Sequence, residues 1–270
     1  MFNKNDTNDT SILLLSILSY ILLNGKSPIC TRNHTSFFHF MLLWLSHGNF
    51  IYYTLNIEID YDKLGTTNME FVVGDKMIKL KYGNTNTFFI SGNSGNILID
   101  TDYAGTLPAF YKALKVNNIR VSDITYILAT HYHPDHMGLV SELMRQGVKL
   151  LLLDTQIRYV HYADDIFCRD KYLKYEPINE ADAITISCAE SRDFLYRIGI
   201  FGEIISTPSH SADSISVVLD NGDCIVGDLE PIEYLRAYEK NEKLEEDWQL
   251  IMGYKPKIVY YAHANEKIIV

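Results

Sequence analysis

From residue 77 onward, short runs with a hydrophobic period near two give way to strands alternating with helices. Met77–Tyr82 (MIKLKY) alternates apolar and polar residues, the pattern of a half-buried strand. Thr87–Ile90 and Ile97–Asp100 flank the turn Ser91-Gly92-Asn93-Ser94-Gly95, which predicts a hairpin. That turn lies between two strands rather than before a helix, so it is no nucleophile elbow. Leu107–Val116 reads as an amphipathic helix with Ala109, Phe110 and Leu114 on one face. Tyr126–Ala129 reads as a buried strand ending on Thr130, Met137–Gln146 as a helix, and Lys149–Leu153 as a second buried strand. Residues 155–185 show no clear period and scatter Tyr159, Tyr162, Phe167, Tyr172 and Tyr175 among charges. A helix is expected over Ser191–Ile198, then strands Ile204–Ser206, Ser214–Leu219 and Cys224–Val226, the last two joined at Asn221-Gly222. A charged helix Glu239–Met252 and a strand Ile258–Tyr261 follow. Strands first, then strands mixed with helices in both halves, predict an α+β class with two packed sheets and helices outside.

Residues 1–68 are different material. Ile12–Leu23 (ILLLSILSYILL) and Phe37–Leu45 (FFHFMLLWL) are apolar runs, each short of the roughly 20 residues a spanning helix needs. The first has the length of a signal-peptide core, but Lys4 is offset by Asp6 and Asp9, and no clean cleavage site follows. Three readings stay open: an extension that is disordered or not native to the domain, a membrane anchor or atypical signal using residues 12–45, and a packed part of the domain. Met69 opens a self-consistent domain, so the expected organisation is an extension over 1–68 and one domain over 69–270.

Composition narrows the class. A chain of 270 residues with 47% hydrophobic and 21% charged residues can bury a sizeable core and is neither disordered, collagen-like nor a coiled coil. Asp plus Glu outnumber Lys plus Arg by 34 to 24, a formal charge of -10 that repels phosphate backbones, so no nucleic-acid partner is expected. The cysteines at 30, 168, 188 and 224 form no Cys-x-x-Cys pair and no disulfide framework, which favours a reducing, cytoplasmic compartment. The alternative is an exported or membrane-anchored protein.

The stretch Thr130-His131-Tyr132-His133-Pro134-Asp135-His136-Met137-Gly138 carries the chemistry. Positions i and i+2 of a strand share a face, so His131 and His133 can aim two imidazoles at one point. Pro134 and Gly138 bend the chain and let Asp135 and His136 approach from another side. Imidazole and carboxylate are the ligands of catalytic Zn²⁺ and similar ions. One histidine alone would read as a packing or surface residue, the default for His34, His39, His47 and His161; three with an aspartate at this spacing do not.

His-x-His-x-Asp-His after a buried strand resembles the signature of the metallo-β-lactamase-fold hydrolases. Thr207-Pro208-Ser209-His210-Ser211, Gly227-Asp228 and Ala262-His263 each follow a strand, where that family places a third metal histidine, a bridging aspartate and a last histidine. Ser209 stands where a glycine is usual, and Ala262-His263-Ala264 replaces a glycine-rich segment. The resemblance covers roughly residues 77–265. It implies a four-layer αββα sandwich of two mixed sheets with helices on both outer faces. It also implies His131, His133 and His210 on a first metal, Asp135, His136 and His263 on a second, and Asp228 bridging. Asp100 matches a family aspartate that orients a ligand histidine or water; a plain turn aspartate is the other reading.

By that resemblance the chain is a hydrolase with two divalent ions, zinc first, iron or manganese as alternatives. A hydroxide between the ions would cleave a small carbonyl ester, thioester or lactone, with Asp135 and Asp228 fixing the metals and relaying protons. The domain ending near His263 leaves little room for the C-terminal helices of glyoxalase II or the cap of nucleases. The intact histidine set disfavours flavodiiron proteins, and the poor export signal disfavours antibiotic-degrading enzymes. The aromatic stretch 155–185 either shapes an apolar pocket or simply covers the sheet. The alternative function is a mononuclear iron persulfide dioxygenase on the same fold. A small-molecule substrate is the expected partner, and the sequence sets no oligomeric state.

Overall fold

The computed structural model describes residues 35–46, 49–60, 76–236 and 241–269. Strands β1 (Thr35–Ser46) and β2 (Asn49–Asp60) form a two-stranded sheet. The apolar run Phe37–Leu45 therefore lies in a strand that its pattern does not announce. Ile12–Leu23 and the expected boundary at 68/69 fall outside the described residues.

The body opens with β3 (Lys76–Lys81), β4 (Asn86–Ser91) and β5 (Asn96–Ile99), an antiparallel meander. Helix α1 (Leu107–Val116) carries the chain across to β6 (Tyr126–Leu128), parallel to β5. Short helices α2 (Pro134–Met137) and α3 (Val140–Met144) lead to β7 (Lys149–Leu153), and α4 (Asp164–Cys168) precedes β8 (Ile184–Ile186), both strands again parallel to their neighbours. The first sheet is thus mixed, in the order β3-β4-β5-β6-β7-β8. Helix α5 (Cys188–Ile198) leads into β9 (Gly202–Ser206), β10 (Ile215–Leu219) and β11 (Asp223–Ile225). Helix α6 (Glu242–Gly253) then returns to β12 (Ile258–Tyr260), parallel to β11, and β13 (Lys267–Ile268) closes a second mixed sheet in the order β13-β12-β11-β10-β9.

Period-two alternation separates the layers. On β4, β5 and β7, Phe88, Ile90, Ile97, Ile99, Leu151 and Leu153 point between the sheets, where they meet Ile204, Ile215, Val217 and Ile225. Their alternate neighbours Phe89, Leu98, Leu150 and Leu152 point outward under Phe110 and Leu114 of α1 and Leu143 of α3. On the second sheet the outward face, Ile205, Val218, Cys224 and Val259, lies under Leu244, Trp248 and Ile251 of α6. Each such side chain contributes roughly 1.5–3 kcal/mol by leaving water. Two mixed sheets between helical layers are the α+β arrangement that the pattern predicts.

Two of the helices that depart from expectation do so for local reasons. The segment 137–146 breaks between α2 and α3 because Thr101 intrudes. Its N–H donates to the His136 carbonyl at 2.9 Å, and the Leu139 N–H donates to Thr101 Oγ1 at 3.2 Å. Helix α5 starts three residues earlier than Ser191, because Ser187 and Glu190 form a capping box, and it ends on Gly199 at φ 82°.

Candidate metal centre

The site gathers where strand ends of both sheets meet. Four segments supply it: the turn after β6 with α2 (residues 131–136), the loop after β9 (His210), the turn after β11 (Asp228) and the turn after β12 (His263). Gly227 makes the third of these approaches feasible. It sits at φ 58°, and a Cβ there would fall 2.6 Å from Thr130 Oγ1.

Three imidazoles converge on one side. His131 Nε2 lies 3.0 Å from His133 Nδ1, and His210 Nε2 lies 3.1 Å from the same atom. On the other side, His263 Nε2 is 3.2 Å from Asp135 Oδ2, and His136 Nε2 is 4.0 Å from Asp135 Oδ1. Asp228 faces both trios with different oxygens. Its Oδ2 is 3.9 Å from His131 Nε2 and 3.7 Å from His210 Nε2. Its Oδ1 is 3.3 Å from His136 Nε2 and 3.2 Å from His263 Nε2. The structure therefore brings all seven sequence-predicted ligand residues into one cluster.

Whether the cluster suits divalent ions can be judged from its donors. Tetrahedral Zn–N bonds of about 2.0–2.1 Å place ligand nitrogens roughly 3.3 Å apart, close to the spacing of the first trio. His136 Nε2 and Asp228 Oδ1 are buried yet make no hydrogen bond, a costly state for polar atoms unless a further group takes up their lone pairs. Each trio could hold one ion, with Asp228 between them.

The supporting contacts fix which ring nitrogen faces inward. Asp100, fully buried, accepts from the Thr130 N–H at 2.6 Å and the Thr130 hydroxyl at 2.8 Å, and lies 3.0 Å from His136 Nδ1. It does so from a left-handed backbone conformation, φ 59°, that Asp tolerates better than most residues. A plain turn aspartate would not be buried with three such partners. Thr130 Oγ1 also lies 3.2 Å from His131 Nδ1, and the Asn84 carbonyl lies 3.2 Å from His263 Nδ1. All three rings thus turn Nε2 toward the cluster.

Charge differs across the site. Burial lowers the pKa of His131, with neighbouring imidazoles adding to it, and burial also lowers that of His210. Burial pulls His136 down too, but Asp100 and Asp228 outweigh it and push it up to about 10. The Asp135 and Asp228 carboxylates beside it raise His263 to about 10. Asp228 is held well below the usual carboxylate range because His136 and His263 overcome its desolvation.

Some functional contacts carry no sequence signal. Buried Gln156 donates to the Ala129 carbonyl at 2.9 Å and the Asp213 carbonyl at 3.2 Å. Asp213 accepts from the Tyr132 N–H at 2.7 Å, so it ties the histidine turn to the loop carrying His210. Asp247 of α6 accepts from the Ser209 N–H at 2.8 Å. In the aromatic stretch, Val160, Ala163 and Phe167 cover the sheet, while Tyr162 stays exposed with its ring 5.4 Å from that of His133. His161 sits apart from the cluster, between Asp164 and Glu180.

Residues 80–263 match the family model of the metallo-beta-lactamase superfamily. The chain belongs to that superfamily. A beta-lactamase-like protein 2 homolog of Drosophila melanogaster is 25% identical over 74% of this chain and 65% of its own length. A Methanocaldococcus jannaschii protein named "Probable metallo-hydrolase" is 31% identical over 54% of this chain and 68% of its own. An atrochrysone carboxyl ACP thioesterase of Pseudocercospora fijiensis is 24% identical over 58% of this chain and 41% of its own. The chain thus spans about two thirds of the first two relatives and under half of the third. The fold matches the crystal structure of a metallo-beta-lactamase family protein from Thermus thermophilus, with a TM-score of 0.53 at 18% identity, over 72% of this chain and 75% of that one. The metallo-beta-lactamase fold implies divalent metal binding, and the His/Asp clusters lie where strand ends converge.

Proposed function

We propose that the chain is a binuclear metal-dependent hydrolase, zinc being the first candidate, that cleaves a small carbonyl ester, thioester or lactone. The observation that carries this reading is the placement of Asp228, one oxygen toward each donor trio. Relatives named as a metallo-hydrolase and a thioesterase support hydrolysis as the reaction type. When bound, two divalent ions supply an activated water at neutral pH and polarise a carbonyl.

The chain's own groups set the rest. Asp100 and the Asn84 carbonyl hold the His136 and His263 rings with Nε2 inward. Asp135 is part-exposed at the second trio, where its carboxylate can take a proton from an attacking water and return it to a leaving group. Among the described residues no Ser or Cys side chain hydrogen-bonds an imidazole of the cluster, so hydrolysis needs a water nucleophile rather than a side chain. Tyr162 beside His133 gives the approach an aromatic wall suited to an apolar acyl group.

The purified protein, loaded with zinc, is assayed without oxygen against activated esters, acyl thioesters and lactones, alongside elemental analysis. Two ions per chain and turnover in at least one class are expected. One iron per chain with oxygen-dependent turnover of a persulfide, and no hydrolysis, would contradict the proposal. The chain's compartment is proposed as cytoplasmic; among the described residues no helix is long and apolar enough to cross a membrane.

A further inference from the structure

Asp102 has no part in the ligand set, yet it is buried at 3% exposure beside the second trio. Among the described residues its carboxylate faces no cationic side chain. It accepts instead from three backbone N–H groups: Asn84 at 2.6 Å, Thr85 at 3.3 Å and Tyr103 at 2.6 Å. Two of these belong to the loop between β3 and β4. Gly83 lies in that loop, and a Cβ on it would fall 1.6 Å from Asp102 Oδ2, so carboxylate and loop approach as closely as glycine allows.

The loop held in this way touches two of the three second-trio residues. The Thr85 hydroxyl donates to the Asp135 carbonyl at 2.7 Å, and the Asn84 carbonyl lies 3.2 Å from His263 Nδ1. The third residue, His136, is held from the same turn by Asp100 on its ring and by the Thr101 N–H on its carbonyl. Among the described residues, the side-chain hydrogen bonds of loop 83–85 reach Asp102, Asp135 and His263, and none reaches His131, His133 or His210. One end of β5 thus serves the second trio through two routes: Asp100 and Thr101 act on His136, and Asp102 acts on Asp135 and His263 through loop 83–85.

We infer that Asp102 is a positioning residue that sets the second metal site and leaves the first alone. The inference rests on the two-ion reading above. Its physical basis is that a carboxylate accepts several N–H bonds at once, whereas an isosteric amide turns an NH₂ group toward at least one of those donors. Asp102→Asn should therefore loosen loop 83–85, and with it the Asn84 and Thr85 contacts, without adding bulk.

The test is stepwise zinc addition to the metal-free full-length chain, followed by calorimetry and elemental analysis. Wild type should take up two ions. Asp102→Asn should bind the first with unchanged affinity and the second about 10–100-fold more weakly, the range for losing a partner that orients a ligand. Thr85→Val, which removes only the hydroxyl on the Asp135 carbonyl, should shift the second ion in the same direction by less. Circular dichroism of the metal-free proteins checks folding, and Thr85→Val carries the test if Asp102→Asn does not fold. Two ions at wild-type affinities in both variants, or equal weakening of both ions, would overturn the role of Asp102. A wild type that takes up fewer than two ions would instead overturn the two-ion reading and the assignment with it.

Discussion

The two donor trios at the centre are built differently. The first is all imidazole: His131 and His133 from the turn after β6, His210 from the second sheet. Burial, with neighbouring imidazoles adding to it, lowers the pKa of His131 and His210. The second mixes Asp135 with His136 and His263; Asp100 and Asp228 raise the pKa of His136, and Asp135 and Asp228 raise that of His263, both to about 10. Support also differs. His136 and His263 are braced by Asp100 and Asn84, whereas the first trio leans on Thr130 and on the Gln156–Asp213 tie behind it. A nitrogen-only set is broken chiefly by loss of a ring; a mixed set depends also on the network that keeps its carboxylate and imidazoles aligned.

Breaking the comparison altogether should have the largest effect. Asp228 faces both trios, one oxygen toward each, so Asp228→Asn should lower zinc affinity at both and cut turnover by more than about 100-fold, the upper end of what losing even an outer partner costs. Zinc stoichiometry measured with initial rates would check it; loss of one ion with the other unchanged would show that Asp228 does not join them. Sharpening the comparison comes next. His133→Ala should empty the first trio and leave the second occupied, and His263→Ala should do the reverse, read by zinc content against cobalt absorption spectra. Matching spectra for the two variants would mean that the trios are not independent sites.

The smallest effect is expected outside the centre. Asp164 and Glu180 lie 2.8 and 3.0 Å from the two His161 ring nitrogens; burial lowers its pKa, but these carboxylates win and raise it. A folded value above the unfolded one of about 6.5 stabilises the protein fully below that pH, and the contribution fades as pH rises through the folded value. The ring is nearly half exposed, so the contribution stays under about 1 kcal/mol. His161→Gln should lower Tm slightly near pH 6, lower it less as pH rises, and leave zinc content unchanged. A Tm deficit that grows with pH would contradict the ion-pair account.

How far the sequence reveals this arrangement depends on distance along the chain. His131, His133, Asp135 and His136 are legible because strand geometry and a proline turn bring neighbours together. His210, Asp228 and His263 are legible because each follows a strand that its own apolar run predicts, and a resemblance supplies the order. The layered core is legible for the same reason: Phe88 and Phe89, or Leu151 and Leu152, must face opposite ways. What stays hidden is set by tertiary contact. Thr101 takes the His136 carbonyl and splits the helix expected over 137–146. Asp213 and Asp102 carry no signal in the sequence, because the N–H donors they meet come from distant segments. Strand β13 is two residues long, too short for any period to register.

The central claim is that Asp228 joins two ions in one site. Anomalous diffraction at the zinc edge from crystals grown with zinc tests it most directly. The account predicts two peaks about 3.5–4 Å apart, one among His131, His133 and His210 and the other among Asp135, His136 and His263, with an Asp228 oxygen on each. A single peak, or two peaks with Asp228 bound to neither, would contradict it.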